Sequence, residues 1–400
     1  MAKGSFDFST KVAKNVPPIP SGGRPAQGRV RYDFTTAFMD PETFPTEGLV
    51  EGLKKGLSKE GKELVFYPSN LGHTGMRQYI ADKLAKERGM KVSPEQIVLT
   101  TGSGQAVARF AELLLNPGDT VLAEQFTYNG TMQIMRRHGA KIKGVSMDKE
   151  GLIPEALDEA LTDLESKKTP AKMIYAIPTF QNPTARTMGL KRRKEVLAVS
   201  QKHSTPLFED DCYADNWFYE PPPPAIQSMD QEGNVLYCGS FSKIVAPGMR
   251  LGYMVAPPQV IEYVKGIHLG ATPSQFSVLA TLNFLQEHGK EHIELCRGVF
   301  RKKKDVAYAS VREYMGNRVE CDDTKGGLYL WVKMPEGTNT AKLLAKAREQ
   351  GLSYSIGTNF SAEQDAYNYL RLCFAHLNNE DIREGIRRIA RFFEQEGVLK

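Results

Sequence analysis

Between about residue 95 and residue 256 the chain alternates short, apolar, β-prone runs with helix-length amphipathic stretches, and this alternation restricts the fold more than any other feature. Such a pattern builds a mostly parallel sheet covered by helices. The strand candidates are QIVLTT (96–101), TVLAE (120–124), KIKGVS (141–146), KMIYAI (172–177), PLFED (206–210), VLYCGS (235–240) and LGYMVA (251–256). Helices fit between them. One of these, SGQAVARFAELLL (103–115), stops at Asn116-Pro117-Gly118, a proline and glycine terminator.

Residues 259–315 then read as long helices. After Lys325-Gly326-Gly327 the pattern changes to a strand at 328–332, a helix near 339–350, a strand at 369–375 and an amphipathic helix at 379–396. The expectation is an α/β protein: a large domain with a mostly parallel seven-stranded sheet covered by helices, plus a smaller α+β domain. The 400 residues divide into an N-terminal arm with part of the small domain (1–50), the large domain (51–290) and the C-terminal small domain (291–400). Pro17 to Gly28 reads as an extended arm that packs on another domain or subunit, and Pro221 to Pro224 as a rigid surface turn.

Composition excludes several classes. No run approaches the roughly 18 apolar residues of a membrane span, and the first residues lack the apolar core of a secretory signal, so a cytoplasmic location is the default. Cys212, Cys238, Cys296, Cys321 and Cys373 are scattered, without metal spacing, and read as reduced and mostly buried. The net charge of +5 comes from interspersed clusters such as 191–194 (KRRK) and 301–304 (RKKK), read as solvated helix faces in preference to a nucleic-acid surface.

Ligands of an open parallel sheet bind at the carboxyl ends of its strands. Past the first run, Gly102-Ser103-Gly104-Gln105 opens a helix and offers N–H groups to an anion, although capping alone explains it. Past later runs come Gln181-Asn182-Pro183-Thr184, Asp210-Asp211-Cys212-Tyr213 and Ser240-Phe241-Ser242-Lys243, with Arg250 seven residues on. Each alone is ordinary turn chemistry. Their joint occurrence, in order, at one sheet edge is not.

With these residues the sequence resembles the fold type I pyridoxal phosphate enzymes, specifically class I/II aminotransferases of the aminoadipate and kynurenine aminotransferase type. The resemblance runs through YPSNLGHTGMR (67–77), TTGS (100–103), Tyr128, QNPT (181–184), EDDCY (209–213), SFSKIVAPGMRLG (240–252) and YLRLCF (369–374). It implies that Lys243 holds the aldehyde of pyridoxal 5′-phosphate as an imine and then shuttles the substrate proton as general base. Asp210 pairs with the pyridine nitrogen, Asn182 and Tyr213 bond the ring oxygen, and Tyr128 stacks on the ring. Ser103, Gly104, Ser240 and Arg250 form the phosphate cup, Ser242 is a further cofactor contact, and Arg371, with Asn182, clamps the substrate α-carboxylate. Tyr67 reaches the phosphate of a neighbouring subunit, which implies a homodimer with shared active sites. No metal is implied.

The chain departs from the family at Gly104, where glutamine is usual, and at Ala185-Arg186, where glycine is usual; Arg186 either reaches the entrance or points to solvent. Residues 35–49 resemble the substrate-covering segment without its usual glycines. The leading expectation is amino transfer from an L-amino acid to a 2-oxo acid such as 2-oxoglutarate. An oxidase, lyase or cyclase with the same cofactor is the alternative. A non-catalytic, cofactor-binding domain of a transcription regulator is disfavoured, because the sheet region begins too early for a preceding winged-helix domain.

Overall fold

The computed structural model describes residues 11–13, 16 and 30–400; the arm expected at 17–28 lies outside the described residues. A short strand, β1 (Tyr32–Phe34), comes first in the chain but joins the smaller sheet. All seven expected runs form the larger sheet: β2 (Ile97–Thr100), β3 (Thr120–Glu124), β4 (Lys141–Val145), β5 (Met173–Ala176), β6 (Leu207–Asp210), β7 (Val235–Ser240) and β8 (Gly252–Val255). Their order is β2-β8-β7-β6-β5-β3-β4, parallel throughout except that β8 runs antiparallel to both neighbours.

Except at the edge strand β4, both faces of this sheet are buried, which is why its strands read as continuous apolar runs. The period-two pleat sends Val121, Ala123, Met173 and Tyr175 to one core and Leu122, Ile174 and Ala176 to the other. On the opposite side from the first of these cores lie α1 (Thr46–Glu60) and α2 (Thr74–Arg88), with α1 packed on a later helix so closely that a Cβ at Gly52 would sit 2.6 Å from the Ala280 carbonyl. The first core is closed by α3 (Ser103–Leu114) and α4 (Asn129–Arg137), the second by α5 (Pro154–Ser166) and α6 (Leu190–Lys202). Next, α7 (Pro258–Ile267) returns to the α3 side.

The 40-residue helix α8 (Gln275–Tyr314) then spans the molecule. The division expected at 290–291 falls inside this unbroken helix, and the core it contacts changes between Ile293 and Cys296. Beyond it the smaller sheet adds β9 (Glu320–Cys321), β10 (Tyr329–Lys333), β11 (Leu352–Ile356) and β12 (Tyr369–Cys373) in the order β1-β11-β12-β10-β9. It is covered by α9 (Thr340–Glu349) and α10 (Asn379–Gln395); Asn378 Oδ1 caps α10 by accepting from Asp381 N at 2.8 Å.

One expectation is overturned. The basic clusters are not simply solvated: Arg193 is fully buried and donates to Met188 O, Pro178 O and Thr179 Oγ1. Lys303 and Lys304 are buried on Asp40 and on Asp305 and Asp323 respectively. Long aliphatic stems cross apolar packing while each charge finds acceptors. The five cysteines are free; Cys238, Cys296 and Cys373 are buried, Cys212 and Cys321 half-buried. Among the described residues no helix is long and apolar enough to cross a membrane.

Candidate active site

The carboxyl ends of β2, β5, β6 and β7 open on a cavity of about 290 Å³, lined by Ser103, Gly104, Tyr128, Asn182, Asp210, Tyr213, Ser240, Ser242, Lys243 and Arg250. Ten of the twelve residues singled out in the sequence meet there. Arg371 lies directly behind Asn182, and only Tyr67 stands apart: it is fully exposed on the surface groove between Glu60 and Leu279.

One end of the cavity is built to receive an anion. The first-turn N–H groups of a helix have no intrahelical acceptor, and those of α3 begin at Ser103 and Gly104. Gly102, at φ +96°, leaves room for the Arg250 guanidinium, which a Cβ there would approach to 3.0 Å. Arg250 donates to Thr101 O at 2.5 Å, and Ser240 Oγ accepts from Ser242 N at 3.1 Å.

The other end presents Asp210, buried at the tip of β6. Burial pushes its carboxyl above the usual range, opposed by hydrogen bonds. Its Oδ2 accepts from Tyr175 OH at 2.7 Å, and Thr131 Oγ1 lies 3.1 Å behind that hydroxyl. Asp210, Cys212 and Cys238 bring their ligand atoms within 4.8 Å of one another. Burial raises the Cys238 thiol well above normal and Cys212 is raised too, so both stand as neutral thiols beside Asp210. We assign no metal there.

Between the two ends stands Lys243, half-buried, its Nζ donating to Ala37 O at 2.6 Å. Desolvation lowers it to about 8, and the nearby Arg371 adds to the shift. Arg371 is buried on β12. It donates to Asn182 Oδ1 at 2.6 Å and to Thr35 O at 2.7 Å, and stacks over the Phe360 ring at 4.5 Å. Its Nε has no partner, and no carboxylate pairs with it among the described residues. Asn182 Nδ2 in turn donates to Tyr213 OH at 3.2 Å. The Tyr128 ring lies back over Gly130, where a Cβ would meet it at 2.6 Å.

Several contributors had no role assigned from sequence, although Thr35 and Ala37 lie in the segment 35–49 and Gln181 in QNPT. Thr35 and Ala37 act through main-chain carbonyls, which carry no side-chain signature. Asn216 Nδ2 holds Lys243 O at 2.9 Å. Gln181 donates to Glu124 Oε2 at 3.1 Å and accepts from Thr184 N at 2.9 Å, bracing the loop that carries Asn182; burial lifts Glu124 to about 8. Tyr175 carried the one readable signal, a hydroxyl in the middle of an otherwise apolar strand. Arg186 does not line the cavity: it pairs with Asp322 at 3.0 Å and donates to Asp148 O at 3.0 Å.

A family model described as aminotransferase class I and II matches residues 40–389. Aromatic-amino-acid aminotransferase 1 of Thermococcus litoralis is 32% identical, over 89% of this chain and 86% of its own length. An uncharacterised HTH-type transcriptional regulator of Bacillus subtilis is 31% identical over 87% of this chain and 71% of its own. The crystal structure of Pyrococcus horikoshii kynurenine aminotransferase in complex with PMP superposes with a TM-score of 0.87 at 31% identity, covering 91% of each chain. With the cavity built as described and the family model spanning most of the sequence, the chain belongs to the class I and II aminotransferases.

Proposed function

We propose that this aminotransferase moves the amino group of an L-amino acid to a 2-oxo acid such as 2-oxoglutarate, with pyridoxal 5′-phosphate held on Lys243. When bound, that cofactor supplies an aldehyde that takes up the substrate amine and a ring that accepts electrons from its Cα. The residues fit it. Ser103, Gly104, Ser240, Ser242 and Arg250 suit the phosphate, because a helix N-terminus and a guanidinium share a dianion well. Asp210 suits a ring nitrogen, Asn182 and Tyr213 a ring oxygen, and Tyr128 a ring face.

Lys243 has the position and state of a base. An amine lowered to about 8 is partly neutral near neutral pH, so Nζ can take the proton from the substrate Cα. Arg371 and Asn182 would orient the α-carboxylate. The observation that carries the reading is Arg371 itself: a buried guanidinium without a carboxylate, its Nε unpartnered, beside a second cation, Lys243. A buried charge without a counter-charge is costly, and an incoming carboxylate removes that cost.

The reading extends to assembly. Tyr67, with exposed Val65 and Phe66 beside it, suits a second copy of this chain, giving a homodimer in which each Tyr67 serves the other cavity. We also propose the division into large (51–290) and small (291–400) domains and a cytoplasmic location.

Incubation with an amino acid and 2-oxoglutarate tests the reaction. Glutamate should form in proportion to the new keto acid. Release of ammonia or peroxide, or a product that keeps its amino group, would favour an oxidase, lyase or cyclase instead.

A further inference from the structure

The bond from Tyr175 to Asp210 joins a fully buried hydroxyl to a buried carboxylate at the cavity wall, in a setting that a packing role does not require. Tyr175 lies in the middle of β5, between Ile174 and Ala176, and every residue of that strand is buried. Its hydroxyl has two neighbours at hydrogen-bond distance, Asp210 Oδ2 at 2.7 Å and Thr131 Oγ1 at 3.1 Å. A carboxylate can only accept, so the tyrosine proton goes to Asp210; the Thr131 hydroxyl must then donate to the tyrosine oxygen. Two O–H dipoles are thus aligned toward one carboxylate, and such chains strengthen one another at low dielectric.

The other hydrogen bonds to Asp210 come from Cys212 and Cys238. The Cys212 N–H reaches Oδ1 at 3.4 Å, and the Cys212 and Cys238 thiols, within 4.8 Å, are weak donors. Burial, and then the Asp210 charge, raise Glu124 and Tyr128. Tyr175 is therefore, among the described residues, the one hydroxyl donor on the Asp210 carboxylate, beside the Cys212 and Cys238 thiols.

We propose that Tyr175, oriented by Thr131, is a positioning residue that fixes the Asp210 carboxylate and keeps the proton shared with the cofactor's ring nitrogen on that nitrogen. The inference rests on the assignment of Asp210 to the ring nitrogen. Its physical content is a competition for one proton. A carboxylate that already accepts a strong hydrogen bond is a weaker base, so the nitrogen keeps its proton; without that bond the buried carboxylate draws the proton to itself.

Tyr175→Phe removes one oxygen and keeps the ring in place. Loaded with pyridoxal phosphate labelled with ¹⁵N at the ring, wild type should show a protonated ring nitrogen, and Y175F should show its resonance displaced toward the unprotonated position. The same variant should lose roughly tenfold in kcat with KM changed less than about twofold. Thr131→Val should displace the resonance in the same direction but less, and the double variant no further than Y175F alone, because Thr131 acts through the tyrosine. A changed melting temperature with an unmoved nitrogen resonance would reduce Tyr175 to a structural residue and overturn the inference. Additive effects of the two substitutions would overturn the relay from Thr131. A wild-type protein that binds no pyridoxal phosphate would defeat the functional reading and this inference together; normal binding with an unmoved resonance in Y175F defeats this inference alone.

Discussion

At the scale of single residues, the cavity is a place where two cations have been desolvated. Lys243 titrates near 8 when folded against 10.5 for an ordinary lysine, so between those values the unfolded chain binds the extra proton. Stability from this group therefore rises with pH: its cost is full below about 8 and is gone above 10.5. For the cofactor-free protein, denaturant midpoints of wild type and Lys243→Met should differ most below pH 8 and converge as pH rises toward 10.5, with the methionine variant the more stable. Arg371→Lys keeps the charge and loses the planar fork, and should lower kcat/KM for the amino acid on the order of 10- to 100-fold, mainly through KM. Steady-state kinetics with retained cofactor absorbance measures this. Lys243, Asp210, Asn182, Tyr213 and Arg371 were legible because each has a side chain with distinctive chemistry just past a strand or on one. Thr35 and Ala37 were legible only as part of the 35–49 segment and not by role, since a carbonyl belongs to every residue.

At the scale of elements, the site depends on braces between them. Arg88, the last residue of α2, donates to Asp211 at 2.8 Å, one residue beyond β6, with both side chains buried. Burial opposes ionisation of Asp211, yet Arg88 and then Arg193 hold it below the usual carboxylate range. Arg88→Met would remove the direct ion pair of that buried charge and should cost about 3–5 kcal/mol in a denaturation experiment. A loss under 1 kcal/mol would show that other donors suffice. The long apolar runs of the large sheet were readable because a two-sided burial writes itself into every position. Three strands of the smaller sheet escaped: β1 and β9 are two or three residues long, and β11 (LSYSI) carries serines that dilute its period. Arg193, Lys303 and Lys304 escaped for a different reason. Composition cannot tell a snorkelling or fully paired cation from a solvated one.

At the scale of the whole molecule, α8 joins the two cores, so Arg371 from the small sheet and Lys243 from the large one are set by a common spine. The proposed dimer has its own consequence. If Tyr67 serves the partner's cavity, inactive Lys243→Ala and impaired Tyr67→Ala proteins should regain activity when unfolded together and refolded, because half of the sites in a mixed dimer carry neither change. No recovery beyond the two parents would place Tyr67 in its own subunit's site or outside any site. The fold class and family were open to sequence reading because the motifs and the strand pattern occupy most of the chain. The homodimer followed only from the resemblance at Tyr67, because one exposed tyrosine looks alike at a surface and at an interface.

The most direct test is to locate the cofactor's attachment. After loading with pyridoxal phosphate and reduction with borohydride, peptide mass mapping should find the pyridoxyl group on Lys243 alone, and the adduct should vanish in Lys243→Ala. A stoichiometric adduct on another lysine, or full transaminase turnover by the alanine variant, would contradict the account.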